Sequence, residues 1–368
     1  MSTKKDKFST KDKLYMEIAL KLAKSQYGHT GSNPSVGCVI VKNDKIISIG
    51  RTSTNGRPHA ESNAIKNSTE NLNGSKMYVT LEPCSHYGLT PPCTNLIVKS
   101  KISQVIYSVP DVDVRVKNKS FKILKSKKIK VRNGLLREKV KDFYSTYIFN
   151  REKKLPYVTG KIAVSKNNLI YSKLDKKITN TQANKFTHIL RYRNDSLMIS
   201  YKTLNTDNPK LNCRLKGLKN YSPKRIILDN KLNTNIKSFI IKTANKSNTI
   251  IFYNKANKSK ILNFKKKGVN LISSKIDNQG RFDIKILLKK LYKLNCRNLL
   301  VEGGDKLTNH LLKNKIFNRF YLYKSNKKLS KKSEFINFNS LNLLKQKYKK
   351  KINLKLNLEK NKITLYKN

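Results

Sequence analysis

Three side chains of the kind that bind zinc stand close together in the first half of the chain. His59 begins an H-A-E motif after a Gly/Pro-containing turn, Cys84 ends E-P-C, and Cys93 ends P-P-C, with eight residues between the two cysteines. One imidazole and two thiolates supply three of the four ligands of tetrahedral zinc and leave the fourth position for water. The pattern predicts a catalytic zinc centre.

Glu61 follows the His59 ligand by two residues and is predicted to do the proton chemistry. Zinc lowers the pKa of a bound water to about 7, which makes hydroxide available at neutral pH. A carboxylate beside it can take the water's proton and pass it to a ring nitrogen and to departing ammonia. These four residues predict hydrolytic removal of an exocyclic amino group from a pyrimidine-like ring.

The other cysteines, Cys38, Cys213 and Cys296, have no His or Cys close by in the sequence and are expected to be buried thiols. Five cysteines do not suggest a disulfide framework, and a reducing compartment fits better. No run approaches the roughly 20 apolar residues of a membrane span. The basic N-terminus is not followed by the apolar region of a secretion signal. We therefore expect a cytoplasmic protein with no membrane partner.

The net charge of +58 has two interpretations. One is nucleic-acid binding through phosphate contacts. The other is compositional drift in an AT-rich genome, whose codons favour Lys, Asn and Ile. A nucleic-acid surface would use clustered Arg interleaved with aromatic residues, whereas here Lys is scattered through nearly every segment. Drift is favoured, and no specific nucleic-acid partner is predicted.

The elements around these residues alternate between strands and helices, which predicts layered α/β structure. Residues 12–27 have helical spacing after a possible Asp12 cap, and two apolar runs flank a hairpin turn at 43–44. A helix is predicted over about 134–150, followed by a boundary near 151–156. We expect two domains, 1–150 carrying the zinc site and 151–368.

The second half contains five strand-like runs with helical segments between them, again α/β, and further short strands from about 319. No G-x-G-x-x-G motif supports a Rossmann fold. Glu302-Gly303-Gly304 ends one run and precedes a helix, where open backbone amides could meet a phosphate. A plain turn explains that motif equally well, so residues alone leave the ligand of this half open.

Three motifs together identify a family. N-P-x-V-G, H-A-E and T-L-E-P-C-S-H-x-G-x-T-P-P-C are matched by Asn33–Gly37, His59–Glu61 and Thr80–Cys93. The chain resembles the bifunctional riboflavin-biosynthesis deaminase-reductases from near residue 14 to about 320. The resemblance implies a cytidine-deaminase-like three-layer domain and then a dihydrofolate-reductase-like α/β domain. It also implies deamination of 2,5-diamino-6-(5-phosphoribosylamino)pyrimidin-4-one, reduction of the product's ribosyl group to ribityl by NADPH, and a homo-oligomer.

The resemblance assigns roles to further residues. Asn33 and His86 are candidate substrate contacts in the zinc domain, with a turn-stabilising role as the alternative. In the second domain the matches to substrate-contacting positions are Arg191, Leu211, Arg214 and Glu302, with the two arginines at positions that hold the phosphate. The matches to NADPH-contacting positions are Ala163, Thr203, Asp207, Gly303, Gly304 and Asp305.

The sequence departs from the family at three places. The D-P-N-P-x-V-x-G-x-G stretch is replaced from Asp111 to Ser120, with Asn118 and Ser120 in place of glycines. An Asp-Gly pair is Asn167-Asn168, and a Trp near the nicotinamide is Lys177. These departures leave open a deaminase with a decayed reductase domain. The basic charge leaves open a different alternative, a basic RNA-binding or RNA-editing deaminase, although the spacing of Cys84 and Cys93 and the reductase-like second half argue against it.

Overall fold

A computed structural model describes residues 8–175 and 177–367. The chain divides into two compact units between Lys154 and Leu155. Within the described ranges, no helix combines the length and the apolar character needed to cross a membrane.

The first unit is a five-stranded sheet with helices on both faces. Its helices are α1 (Thr10–Ser25), α2 (Ala60–Lys66), α3 (Cys93–Lys99), α4 (Lys119–Ser126), α5 (Arg137–Phe143) and α6 (Ser145–Lys153). Its strands are β1 (Gly37–Lys42), β2 (Lys45–Arg51), β3 (Lys76–Leu81), β4 (Gln104–Val109) and β5 (Lys130–Asn133). The strand order is β2-β1-β3-β4-β5, antiparallel across β2, β1 and β3 and parallel from β3 to β5.

The two faces of β1 bury alternate residues, as a strand covered on both sides must. Cys38 and Ile40 pack with α2, α3 and α4, whereas Val39 and Val41 pack with Met16 of α1. The helices therefore form one layer on each side of the sheet, which confirms the predicted three-layer domain.

Local sequence explains the elements at the start of this unit. Asn43 and Asp44 have φ of 48° and 58°, a turn that suits both residue types and joins β1 to β2 as predicted. Helix α1 begins earlier than expected, because Ser9 rather than Asp12 is its cap. The Ser9 side chain accepts the Asp12 N–H, and the Asp12 carboxylate accepts the Ser9 N–H.

Two features set the position of the helices that follow. The predicted helix over 134–150 is two helices, α5 and α6, with a break at Tyr144. Helix α2 lies directly against β2 at Gly50, where an added Cβ would stand 2.1 Å from the Ala60 carbonyl oxygen and 2.4 Å from the Ala64 nitrogen. Only glycine permits this contact, so Gly50 fixes how closely α2 approaches the sheet.

The second unit is built on a nine-stranded sheet. Its strands are β6 (Tyr157–Val164), β7 (Leu169–Ser172), β8 (Ser196–Ser200), β9 (Lys224–Leu228), β10 (Thr249–Tyr253), β11 (Asn270–Ser273), β12 (Asn298–Val301), β13 (Arg319–Lys324), β14 (Phe335–Asn337), β15 (Lys350–Asn353) and β16 (Lys362–Lys367). Its helices are α7 (Thr181–Tyr192), α8 (Tyr201–Asp207), α9 (Phe239–Lys242), α10 (Lys258–Lys266), α11 (Ile284–Lys293), α12 (Asp305–Lys313) and α13 (Leu341–Lys347).

The strand order is β11-β10-β9-β8-β12-β6-β13-β16-β15, and β7 pairs separately with β14. Neighbouring strands run parallel from β11 to β13, and β16 is antiparallel to both β13 and β15. The carboxyl ends of β6, β8, β9 and β12 therefore meet at one edge of the sheet. Ligands of open α/β sheets bind at such edges.

Candidate active sites

The first unit brings the predicted zinc ligands together. His59 is the N-cap of α2 and makes no capping hydrogen bond through its side chain, so the ring is available elsewhere. Its Nδ1 lies 3.5 Å from Cys84 Sγ and 3.4 Å from Cys93 Sγ. The three donor atoms all lie within 4.8 Å of one another.

These distances fit a zinc ion. With Zn–S of about 2.3 Å and Zn–N of about 2.0 Å, a tetrahedral angle places sulfur and nitrogen roughly 3.5 Å apart. The Cys84 thiol is also prepared for a cation, because the Cys93 N–H donates to Cys84 Sγ at 3.2 Å. Hydrogen bonding from Cys93 and His59, opposed by burial, lowers the pKa of Cys84 to about 4. Thiolate is the form that binds metal.

Glu61 lies in the first turn of α2 and is only 3% exposed. Burial raises the pKa of this carboxyl to about 7, although the neighbouring His59 opposes the change. A group with a pKa near the working pH can both accept and donate a proton. The start of α2 therefore carries both a metal ligand, His59, and an acid–base group, Glu61.

The altered loop from Asp111 to Ser120 is closed by a residue that sequence analysis missed. Glu82 is buried, and its Oε2 accepts the N–H groups of Asp111 at 3.2 Å and Asn118 at 3.1 Å. Its Oε1 accepts the Ser120 hydroxyl at 2.7 Å. Asn118 takes φ of 60°, a left-handed conformation that Asn adopts readily. Both replacements of glycine are thus accommodated.

Asn33 and His86 lie in the loops around this site. The Asn33 amide donates to the Gly56 carbonyl at 3.0 Å and so braces the turn that leads to His59. Among the described atoms, His86 Nδ1 is buried without a hydrogen-bond partner. Asn33 has the turn-stabilising contact, and its predicted contact with substrate stays a prediction.

In the second unit, residues far apart in sequence form a buried ion pair. Arg191 of α7 donates from Nε and Nη2 to the Glu302 carboxylate at 2.7 and 2.8 Å, and from Nη1 to the Asn212 carbonyl at 3.2 Å. Burial opposes ionisation of Glu302, but Arg191 and Lys161 outweigh it and lower its pKa to about 2. The Arg191 fork, expected to hold the phosphate, is thus bonded to protein groups.

Arg214 lies beside this pair with a different set of partners. Its guanidinium donates to the Asn212 side chain at 2.9 Å, and its backbone N–H donates to His188 Nδ1 at 3.3 Å. Burial and the charge of Arg191 lower the pKa of Arg214. Leu211 is 2% exposed and packs in the apolar core. Of the two predicted phosphate arginines, Arg214 has the guanidinium without a carboxylate partner in the described structure.

Lys161 matches the family in sequence but was assigned no role there. It lies on β6 with its Nζ 4.8 Å from the ring centroid of Tyr323, and burial lowers its pKa while Glu302 opposes the change. Ala163 stands two residues further along, on the same face of the strand, and is the register partner of Tyr323. The two-residue period of a strand was the available signal, since it places Lys161 and Ala163 on one face.

The predicted cofactor residues lie mostly at the carboxyl ends of β8 and β12. Gly304 is the N-cap of α12, and a Cβ added there would find Thr203 Oγ1, at 4.0 Å, as its nearest neighbour. Open backbone at a helix N-terminus beside a hydroxyl suits a phosphate of a dinucleotide. Asp305 is engaged otherwise, since its Oδ1 accepts the Ser340 N–H and hydroxyl. Asp207 is exposed at the far end of α8.

Two of the departures in this unit, Asn167 and Asn168, are also accommodated. Asn167 Oδ1 accepts the Ser165 hydroxyl at 2.7 Å and the Leu329 N–H at 3.0 Å. Asn168 has φ of 60° and so takes a conformation that favours glycine or asparagine. Lys177 is exposed and lines a cavity of about 790 Å³ together with Lys327 and Lys360.

Comparison with known proteins covers both units. Residues 9–109 match the model of the cytidine and deoxycytidylate deaminase zinc-binding region, and residues 160–351 match the RibD C-terminal domain. The riboflavin biosynthesis protein RibD of Aquifex aeolicus is 34% identical over 314 residues, which cover 85% of this chain and 86% of the relative. That of Actinobacillus pleuropneumoniae is 35% identical over 311 residues, 84% and 82% of the two chains.

Solved structures agree over nearly the whole length. Acinetobacter baumannii RibD superposes with a TM-score of 0.83 at 26% identity, covering 97% of this chain and 98% of the other. A diaminohydroxyphosphoribosylaminopyrimidine deaminase/5-amino-6-(5-phosphoribosylamino)uracil reductase from Thermotoga maritima has a TM-score of 0.82 at 28% identity and the same coverage. The described units and these matches together show that the chain belongs to the RibD family.

Proposed function

We propose that the chain is a bifunctional enzyme of riboflavin biosynthesis. It deaminates 2,5-diamino-6-(5-phosphoribosylamino)pyrimidin-4-one with zinc and then reduces the ribosyl group of the product to ribityl with NADPH. The observation that carries the proposal is the set of three zinc donors with the buried Glu61 beside it. The matched RibD C-terminal domain supports the second reaction.

In the deaminase site, His59, Cys84 and Cys93 hold the zinc ion. Zinc, when bound, supplies a Lewis acid that makes water nucleophilic at neutral pH. Glu61 accepts one proton from the attacking water and delivers it to the ring nitrogen. It then accepts the second proton, from the hydroxyl now bonded to the ring carbon, and delivers it to the amino group, so that the C–N bond breaks, the carbonyl forms and ammonia departs. Its burial keeps the carboxyl near a pKa of 7, so that both transfers are possible at one pH.

In the reductase site, the chain binds and orients both reactants. NADPH, when bound, supplies the hydride. Thr203 and the amides at Gly303 and Gly304 contact its phosphates, and Arg214 binds the substrate phosphate. Arg191 keeps Glu302 ionised and in place, and the carboxylate accepts hydrogen bonds from the sugar.

The two activities are assigned to the two parts of the chain, with deamination in 1–150 and reduction in 151–368. We place the enzyme in the cytoplasm as a homo-oligomer that acts on a small phosphorylated substrate. Light scattering on the purified chain measures the oligomeric state, and a monomer at working concentration would contradict that part of the proposal.

The test is an assay of both reactions on the full chain. Zinc content is measured first, then ammonia release from the diaminopyrimidine, then NADPH oxidation in the same vessel. Ammonia and oxidised NADPH in equal amounts are expected. A protein that holds no zinc and releases no ammonia would refute the proposal. Ammonia release without NADPH oxidation, when the deaminated product is supplied directly, would favour the decayed reductase.

A further inference from the structure

A positively charged side chain, Arg57, lies at the rim of the zinc site and has no role in the proposed mechanism. Arg57 precedes the ligand His59 by two residues and is half-buried. Its Nη2 lies 3.3 Å from the point where a Cβ of Gly88 would stand, and His86 Nε2 lies 3.9 Å from the same point. Gly88 belongs to the loop between the ligands Cys84 and Cys93. Two nitrogens thus converge over bare backbone beside the metal ligands.

The charge of Arg57 is not balanced by the protein. Its Nη1 donates to the Thr90 hydroxyl, and no carboxylate of the described residues is within ion-pair distance. Two other half-buried or exposed arginines of this unit do have a carboxylate partner. Arg115 and Arg151 both contact Asp113, at 2.7 and 3.9 Å. A half-buried guanidinium without a carboxylate partner is stabilised when an anion joins it.

His86 gives a second, independent sign of a missing partner. Its Nδ1 is buried and makes no hydrogen bond in the described structure, while its Nε2 faces the same space as Arg57. The Gly88 N–H donates to the Thr90 carbonyl at 3.3 Å. The hydrogen bond of this backbone group is therefore made within the loop and not with Arg57 or His86. The space between them suits an oxygen-rich anion.

We propose that Arg57 binds the phosphate monoester of the deaminase substrate, with His86 as the second donor. The inference rests on the proposed function, because that substrate carries a phosphate on its ribose arm. The ring has to reach Glu61 and the metal ligands, so the arm points toward the rim of the site. A guanidinium fork matches phosphate oxygens in geometry and in charge, as a lysine does not.

The competing explanation is that Arg57 only braces the loop through Thr90. The two explanations differ in what they require of the substrate. A phosphate contact matters only for a phosphorylated substrate, whereas a brace matters equally for every substrate. Removing the Thr90 hydroxyl separates them further, because it removes the brace and leaves the guanidinium charge.

The experiment compares full-length, zinc-loaded Arg57→Gln, Arg57→Lys and Thr90→Val, with Arg51→Gln as the matched control. Arg51 is exposed and donates to the Ser25 hydroxyl, so its loss removes the same charge away from the site. Ammonia release is measured with the phosphorylated substrate and with its dephosphorylated nucleoside. Inhibition by inorganic phosphate is measured as well.

For Arg57→Gln we expect KM for the phosphorylated substrate to rise about 10- to 100-fold, because this is the effect of losing one hydrogen bond between charged groups. kcat, zinc content and kcat/KM for the nucleoside should be unchanged, and phosphate inhibition should weaken. Arg57→Lys should be intermediate, and Thr90→Val and Arg51→Gln should resemble wild type. Equal losses on both substrates, or the same losses in Thr90→Val, would overturn the inference. A wild type that releases no ammonia would instead refute the proposed function.

Discussion

Gly50→Ala tests whether the contact between β2 and α2 sets the geometry of the zinc site. The added Cβ would meet backbone atoms at 2.1 and 2.4 Å, where Cβ atoms do not approach closer than 3.0 Å. Helix α2 must therefore move by about 1 Å, because backbone atoms cannot rotate away as a side chain would. Metal ligands tolerate shifts of only about 0.2 Å, and His59 stands at the start of this helix.

We expect Gly50→Ala to bind zinc at least about 10-fold more weakly, a loss typical of misplaced ligands, and to lose ammonia release in proportion. Overpacking should also destabilise the first unit by roughly 1–3 kcal/mol. NADPH oxidation with the deaminated product supplied directly should persist, since that site belongs to the second unit. This activity is the internal control for folding.

The measurement is competition for zinc with a colorimetric chelator, followed by both activity assays. Gly74→Ala is the matched control. Gly74 has φ of 77° and no atom within 4 Å of an added Cβ, so this variant carries backbone strain without a collision. If Gly50→Ala keeps wild-type zinc affinity and ammonia release, the argument that β2 positions α2 is wrong.

Three further predictions follow from individual carboxyl groups. Glu61→Gln should retain zinc but release ammonia about 10²- to 10⁴-fold more slowly, because the proton carrier is lost and the ligands are kept; loss of zinc would contradict this. Glu302→Gln should destabilise the second unit by about 3–5 kcal/mol in urea, since it leaves Arg191 buried without its carboxylate; unchanged unfolding would contradict it. Burial raises the pKa of Asp195 to about 6 from 3.8, so the folded state binds this proton more tightly. Stability should therefore fall by about 3 kcal/mol as the pH rises from 4 through 6, and Asp195→Asn should remove that slope in urea unfolding across this range.

The amino-acid sequence alone determined the zinc site and the class of fold. The donors His59, Cys84 and Cys93 are brought together by short, strongly patterned segments, a helix start and a strand end. Their residue types and spacing are enough to predict zinc binding, and no knowledge of distant contacts is needed. The layered α/β structure could be predicted from the alternation of strands and helices for the same reason, because periodicity is a local property of the chain.

Tertiary structure decided what depends on residues far apart in sequence. The pairing of Arg191 with Glu302 brings together α7 and the end of β12, and no local pattern encodes that distance. The hydrogen bonds that Glu82 makes to Asn118 and Ser120 explain how the altered loop closes. Sequence comparison showed only the lost glycines there, because the compensating carboxylate, Glu82, follows β3 and lies far from the loop in sequence. The placement of a charge relative to a site is a property of the folded chain, and this is why the role of Arg57 emerged only from its geometry.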